Sequence, residues 1–185
     1  IVGLSFSIEQ NSGIYIPIQH KDKSSQYFGE NELEEVLTLV KPVLENPRIL
    51  KAGQNVKYDV LILNRFGIQV KGIAFDTMIA AHLLQPGSRS YKLDKLSEEY
   101  LSYTMVPIEQ LIGMGKNQIS MAEVGLEDIA FYAVEDADIA LQLTHVLKQH
   151  LEKENLWEFY SKVELPLIQV LTEMECRGTY VQKDL

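Results

Sequence analysis

The chain has 185 residues, of which 46% are hydrophobic and 23% charged, and its formal net charge is −9. This length and hydrophobic content suit one folded domain with a full core, with room for a piece of a second, and they argue against a disordered chain. The negative charge argues against broad electrostatic adhesion to nucleic acid, so we expect any such contact to be local and metal-assisted.

Cysteine usage and the apolar runs indicate where the protein works. Cys176 is the only cysteine in the sequence, so no intrachain disulfide can form and a reducing compartment is expected. No CxxC or Cys/His cluster suggests zinc. No apolar run reaches the roughly twenty residues that cross a bilayer, and the N-terminus lacks the pattern of a signal peptide. We therefore expect a cytoplasmic protein with no membrane partner.

The first predicted elements are two strands and an amphipathic helix. Alternating apolar residues on both sides of a polar turn predict a β-hairpin over residues 1–18. Because the pattern begins inside a strand, we expect that a preceding strand is missing from this chain. After a polar loop, Asn31 and Glu34 resemble a capping box at the start of a helix. Pro42 should tighten the last turn of that helix, near Leu44.

The segment GQNVKYD, residues 53–59, joins an apolar run to a helical pattern. Residues 49–53 predict a strand. Asn55 is a good N-cap, and apolar residues then recur at helical spacing as far as a suitable C-terminal glycine, Gly67. The sequence therefore predicts a strand, a tight turn and a helix, with Asp59 about one turn inside the helix.

Three segments in the middle of the chain carry weaker signals. A third apolar run ends at Asp76, which we predict to be the N-cap of the next helix rather than a catalytic acid. Residues 91–101 predict a short helix. The segment GMGKN, residues 113–117, lacks the full spacing of a phosphate-binding loop and has no strand before it, so it predicts a flexible loop. Its lysine remains a candidate for contact with a backbone phosphate.

The segment YAVED, residues 132–136, lies within a long helix predicted over residues 126–153. Asp136 falls in the middle of the apolar stripe of that helix. Burying an unpaired carboxylate costs several kcal/mol, so we expect a cation, a cluster of donors or a metal ion opposite Asp136. Glu135 and Asp138 fall on other faces, where we expect them to be solvated.

The residues alone leave two explanations of the acids open. Each has a tyrosine near it, Tyr58 beside Asp59 and Tyr132 one turn before Asp136, as expected for halves of one site. Alternatively they are unrelated, and Asp59 is an acid favoured by the helix dipole while Tyr132 is a core ring near an incidental aspartate.

The last part of the chain resembles the beginning of a following domain. A helical run over residues 156–176 contains Pro166 and ends before Gly178, a fitting residue after a helix. We predict one domain over residues 1–155 and the start of another over residues 156–185.

Four segments together resemble the 3′→5′ proofreading exonuclease domain of bacterial DNA polymerase I, the family A polymerases. They are GQNVKYD (53–59), GIAFDTM (72–78), GKNQ (115–118) and YAVEDAD (132–138). The resemblance covers essentially the whole chain, and residues 164–167 and 176–178 look like the start of the polymerase region. It implies an α/β, ribonuclease-H-like fold with a mixed sheet flanked by helices, here without its first strand.

The resemblance also implies a site. In that family four carboxylates bind two divalent metal ions, Mg or Mn: an Asp-x-Glu pair on the first strand, the aspartate of Asn-x-x-x-Tyr/Phe-Asp and the aspartate of Tyr-x-x-x-Asp. Carried over by position, Asp59 and Asp136 are metal ligands, and Tyr132 orients the attacking water. The positions that line the groove for the terminal nucleotides are Gln54, Asn55 and Tyr58.

The sequence departs from the family pattern at one point, since no Asp-x-Glu precedes the hairpin, and Asp94 and Glu98 are not substitutes by order or context. We expect a metal-dependent exonuclease that removes mispaired nucleotides from single-stranded or frayed DNA 3′ ends during replication and repair. It would act beside the polymerase domain of the same chain, and this chain as it stands should be impaired. Two alternatives stay open, a catalytically silent nuclease fold that serves as a structural or DNA-binding module, and a stand-alone RNA-trimming exonuclease.

Overall fold

A computed structural model describes residues 1–21, 32–180 and 182 of the chain. Within these residues, four short strands and eight α-helical segments follow one another. They are β1 (Gly3–Phe6), β2 (Ile14–Pro17), α1 (Glu32–Leu44), β3 (Lys51–Gly53), α2 (Val56–Arg65), β4 (Ile73–Asp76), α3 (Thr77–Leu84), α4 (Leu93–Leu101), α5 (Ile108–Ile112), α6 (Leu126–Lys153), α7 (Trp157–Phe159) and α8 (Leu165–Arg177). Most of the predicted elements are present at or near their predicted bounds.

The first two strands form the predicted antiparallel hairpin, in which Leu4 lies opposite Ile16. Its turn passes through Asn11, whose φ is 60°, and the Asn11 N–H donates to the Asp138 carboxylate at 2.9 Å. The hairpin is thus attached to α6 through its turn. Asn31, half of the predicted capping box, lies outside the described residues.

Strands β3 and β4 pair in parallel, with Gly53 opposite Asp76, and α2 connects them. This is the predicted strand, turn and helix. One detail of the prediction was wrong, because Asn55 occupies the N-cap position of α2 but its side chain makes no capping hydrogen bond. Its backbone is left-handed, with φ 56° and ψ 49°. By contrast, Asp76 caps α3 as predicted, accepting hydrogen bonds from the N–H groups of Met78 and Ile79.

The four strands form two separate two-stranded sheets, one antiparallel and one parallel. Helix α6 packs against β1, β2 and β3 and so underlies both sheets. The main core lies along the C-terminal half of α6, where Leu143, Leu147 and Leu151 are fully buried against Phe75. The strands and helices are therefore arranged as an α/β domain around one long helix.

The helix predicted over residues 156–176 is divided into α7, a π-helical turn at Tyr160–Glu164, and α8. Pro166 lies in the first turn of α8, where its missing N–H and its ring interrupt the hydrogen-bond ladder of a continuous helix. Tyr160 is fully buried in the main core, and α8 packs against α2. The domain boundary between residues 155 and 156 stays a prediction.

The helices of the described ranges do not match the requirements of a bilayer. None of them combines the length and the apolar character that a membrane span needs.

Candidate active site

A cavity of about 1490 Å³ lies between the two sheets. Every residue of β1 and of β3 lines it, together with residues of α2, α4 and α6. Within the described part of the chain, β1 pairs only with β2, and β3 pairs only with β4. The cavity is therefore bounded by two strands that each have one edge without a partner strand.

Asp59 lines this cavity from the first turn of α2. The residue is exposed to the cavity, yet the surrounding protein removes much of the water around its carboxyl group. This burial, assisted by the negative charge of Asp76, raises the pKa of Asp59 to about 6. Asp59 is thus a carboxyl group whose charged form the protein disfavours, which is a common property of functional acids.

Asp136 lines the same cavity from α6 and is half-buried. Burial comes first among the causes that raise the pKa of Asp136 to about 7, followed by the charge of Glu135. A hydrogen bond with the Tyr132 hydroxyl opposes this rise, and the charge of Asp94 adds to it. Among the described residues no lysine or arginine forms an ion pair with Asp136. The positive partner expected from the sequence is therefore not a side chain of this part of the protein.

Glu135 is buried, at 8% exposure, and the prediction that it would be solvated was wrong. Its carboxylate accepts hydrogen bonds from the Tyr103 hydroxyl at 2.8 Å and from the Val106 N–H at 2.9 Å. The loop after α4 covers this face of α6, and helical periodicity alone contains no information about a loop that packs there from elsewhere.

The same prediction was wrong for Asp138, which is 9% exposed. Its carboxylate accepts from the Asn11 N–H at 2.9 Å and from the Gln142 amide at 2.8 Å. Glu135 and Asp138 each have two donors from the described protein, whereas Asp136 has only a tyrosine hydroxyl there. Asp136 is thus the acid of this segment with unused capacity to bind a cation.

Four further residues were predicted for the site. Tyr132 lines the cavity, and burial together with the charge of Asp136 raises its pKa, so that it stays a neutral phenol. Tyr58 also lines the cavity and is 62% exposed. Gln54 lines it too, but its amide donates to the Tyr91 carbonyl at 2.6 Å and its side-chain oxygen accepts from the Thr77 hydroxyl. Asn55 is half-buried at the start of α2 and does not belong to the cavity wall.

Asp94, which its order in the chain had excluded as a substitute ligand, lines the cavity from the first turn of α4. Its charge contributes to the raised pKa of both Asp136 and Tyr132. No spacing in the sequence could have indicated this proximity, because α4 and α6 pack together only in the fold.

The carboxylates meet only part of what a divalent metal ion requires. Magnesium and manganese prefer several oxygen ligands, and Asp59 and Asp136, which line the same cavity from two helices, supply groups of that kind. However, the described ranges contain no group of three or more His, Cys, Asp or Glu side chains placed to hold a metal ion. The described acids alone therefore do not make a complete metal site.

Comparison with known proteins identifies a matching family and several relatives of this chain. The profile of a family described as 3′-5′ exonuclease matches residues 2–152. The chain is 34% identical to DNA polymerase I of Rhizobium leguminosarum and 41% identical to DNA polymerase I of Chloroflexus aurantiacus, in each case over its whole length. It spans 20% and 19% of those relatives, about a fifth of their length.

Solved structures share the fold. The POL domain of Pol1 from M. smegmatis, in complex with DNA primer-template and dNTP, matches 92% of this chain and 24% of its own, with a TM-score of 0.67 and 24% identity. The apo form of a nuclease matches 99% of this chain and 81% of its own, with a TM-score of 0.67 and 14% identity. These likenesses confirm the predicted ribonuclease-H-like α/β class.

Proposed function

The chain belongs to the 3′-5′ exonuclease family of DNA polymerase I, and we propose that it removes mispaired 3′-terminal nucleotides as the proofreading domain of such a polymerase. This membership agrees with the resemblance that the sequence motifs predicted. The observation that carries the proposal is the pair of acids, Asp59 and Asp136, on one cavity of a chain that matches the family from residue 2 to residue 152.

The proposed chemistry is hydrolysis of the terminal phosphodiester. Two divalent metal ions, Mg or Mn, supply a hydroxide-like nucleophile and stabilise the attacking and leaving oxygens when they are bound. Asp59 and Asp136 would hold them as deprotonated ligands. Both acids have raised pKa values, so they release protons when they bind metal near neutral pH.

Tyr132 is proposed to orient the attacking water. Its raised pKa keeps the hydroxyl protonated at neutral pH, so it acts as a hydrogen-bonding group and not as a general base. The Tyr132 hydroxyl acts as a hydrogen-bond donor that opposes the rise which burial causes in the pKa of Asp136, so the two groups lie close together. The hydroxyl is thus beside a proposed metal ligand, and Tyr132 lines the same cavity.

The remaining acids are proposed to lie on another strand of a longer protein. Neighbouring strands lie about 4.8 Å apart, and a strand between β1 and β3 would hydrogen-bond to the open edge of each. The cavity is lined by every residue of β1 and β3, and this continuous space beside both strands supports the proposed position. Such a strand would join the two sheets into one mixed sheet and bring further carboxylates to Asp59 and Asp136.

The DNA end is proposed to enter the cavity as a single strand. Tyr58 is exposed at the wall beside Asp59, and an exposed aromatic ring suits stacking with a base. Asn55 precedes it on the same turn, and both were predicted to contact the terminal nucleotides. Because the Gln54 amide is engaged by Tyr91 and Thr77, contact of Gln54 with a nucleotide would require one of these bonds to open.

Residues 156–185 are proposed to begin the polymerase domain of the same chain, in the cytoplasm. Four apolar side chains of α8 are exposed at helical spacing, Leu167, Val170, Leu171 and Met174. An exposed apolar stripe of this kind is expected where another part of the protein packs. The length of the relatives, about five times that of the chain, supports a following domain.

The test uses the full-length protein and a primer with a mispaired or a paired 3′ end. With Mg²⁺ or Mn²⁺, we expect faster removal of the mispaired nucleotide and a loss of this activity in Asp136→Ala. An unaltered protein that removes no nucleotide would favour the silent nuclease fold. A protein that degrades RNA in preference to DNA would favour the RNA-trimming alternative.

A further inference from the structure

Asp76 is a buried carboxylate that the proposed reaction does not use. It is 1% exposed. Its Oδ2 accepts a hydrogen bond from the Val56 N–H at 2.7 Å, while its Oδ1 accepts from the N–H groups of Met78 at 2.9 Å and Ile79 at 3.1 Å. Val56 begins α2, and Met78 and Ile79 lie in the first turn of α3. One carboxylate therefore caps two helices with two different oxygens.

The turn that Asp76 holds has an uncommon backbone. Asn55 is left-handed, a conformation that costs free energy in residues other than glycine, and its side chain does not cap α2. The Asn55 N–H is a further backbone donor, after those of Ile79 and Val56, that opposes the rise which burial causes in the pKa of the Asp76 carboxyl group. Asp76 thus supplies, from another strand, the cap that the local sequence does not provide, and it favours the left-handed turn.

Asp76 is itself held in place. Its N–H donates to the Tyr160 hydroxyl at 2.7 Å, and that hydroxyl donates to the Asp76 carbonyl at 3.2 Å. Tyr160 is fully buried. Beside Asp76, the Thr77 hydroxyl shares its one proton between the Gly53 carbonyl, at 3.2 Å, and the Gln54 side-chain oxygen, so the strand before the turn is attached to the same point. Both sides of the turn are therefore fixed to the junction of β4 and α3.

We propose that Asp76 is a positioning residue for the candidate active site, because it fixes the first turn of α2 and thereby sets the places of Asn55, Tyr58 and Asp59. All three lie within four residues of the Val56 N–H that Asp76 binds. The catalytic consequence rests on the proposed exonuclease function, whereas the effect on the turn does not.

The substitution Asp76→Asn separates the two caps. An amide has one accepting oxygen, which is expected to stay with Met78 and Ile79, where it keeps two hydrogen bonds. The amide NH₂ then faces the Val56 N–H, donor against donor. Losing a hydrogen bond to a charged group corresponds to about a tenfold to hundredfold change in a local equilibrium. Hydrogen exchange of the full-length protein, resolved to single amides by mass spectrometry, should therefore become faster at Asn55 and Val56 by about that factor. It should change little at Met78 and Ile79.

The catalytic part is measured by single-turnover cleavage of a mispaired primer at saturating metal and DNA. We expect Asp76→Asn to lower this rate by about tenfold or more. Leu151→Val, a core change far along α6, is the control for a general loss of stability. If Asp76 has a positioning role, Asp76→Asn lowers the cleavage rate much more than Leu151→Val does. This difference should remain when the melting temperature of the Leu151→Val protein is equal or lower.

The outcomes separate this inference from the proposed function. Unchanged exchange at Asn55 and Val56 overturns it, as does faster exchange with a cleavage rate no lower than that of Leu151→Val. If the unaltered protein cleaves nothing, the proposed function fails, and the exchange rates still decide whether Asp76 fixes the turn. Should Asp76→Asn not fold, Tyr160→Phe removes the hydroxyl that holds Asp76 and keeps the ring. It should then speed exchange at the same two amides, and no change there would refute the inference.

Discussion

Replacing Asp136 with asparagine should make the metal-free protein more stable, with a gain that depends on pH. Burial first, then the charge of Glu135, raises the pKa of Asp136 from its ordinary value of 3.8 to about 7. The folded protein therefore holds a proton on this group that the unfolded chain releases. The contribution of the Asp136 carboxyl group to the free energy of unfolding is fully present below pH 3.8 and is lost as the pH rises through about 7.

The size of the effect follows from that pKa. A tenfold change in proton affinity corresponds to about 1.36 kcal/mol, so the rise from 3.8 to about 7 sets an upper limit of roughly 4 kcal/mol. Because Asp136 is only half-buried and lines an open cavity, we expect solvent to screen much of this energy and to leave a gain of about 1–2 kcal/mol. The substituted amide would carry no charge at any pH, while its oxygen would still accept from Tyr132. At pH 8 the Asp136→Asn protein should be more stable by this amount, and at pH 4 the difference should vanish.

The measurement is urea unfolding in a chelating buffer between pH 4 and pH 8. Asp138→Asn is the matched control, since this neighbouring carboxylate accepts hydrogen bonds on both oxygens and an amide keeps only one. It should be less stable than the parent by about 1 kcal/mol at pH 8. An Asp136→Asn protein that is no more stable than the parent at pH 8, or equally stabilised at pH 4, would contradict the reasoning.

Three further predictions concern the site and its supports. In the full-length protein, Tyr132→Phe should keep metal and DNA binding while lowering the single-turnover rate on the order of 10², and an unchanged rate would make Tyr132 a core ring only. Tyr58→Ala should weaken binding of single-stranded DNA by about 1–3 kcal/mol in a titration at fixed salt, whereas Tyr58→Phe should bind normally. Residues 1–185 alone should bind Mn²⁺ more weakly than the full-length protein by calorimetry, because two acids provide too few oxygen ligands, and equal affinity would contradict the need for further carboxylates.

The sequence predicted most of the elements because their signals are local. The alternation around the hairpin, the turn before α2 and the stripe of α6 each depend on residues close together in the chain. Asp76 capped α3 as predicted for the same reason, since its two partners lie two and three residues away. Membership in the exonuclease family, predicted from four short motifs, was confirmed by the match over residues 2–152.

Most of the features that sequence reasoning missed depend on contacts between distant parts of the chain, although the division of the helix predicted over residues 156–176 has a local cause in Pro166. Glu135 is buried by a loop about thirty positions earlier, and Asp138 by a hairpin turn 127 positions away. Asp76 caps α2 across 20 positions, in place of the adjacent Asn55. Helical periodicity identifies the face of a helix that is apolar, but it contains no information about which polar groups another segment will cover. The roles of Asp59, Tyr132 and Asp136 in catalysis therefore stay predictions.

The position of α6 in the chain has a consequence for synthesis on the ribosome. This helix underlies both sheets and carries Asp136, yet it ends 77 residues after β4. At roughly 5–20 residues per second, about 4–15 s pass between completion of the last strand and completion of the helix. During that interval the sides of both strand pairs that pack against α6 are not yet covered by it, so we expect the nascent chain to bind a ribosome-associated chaperone.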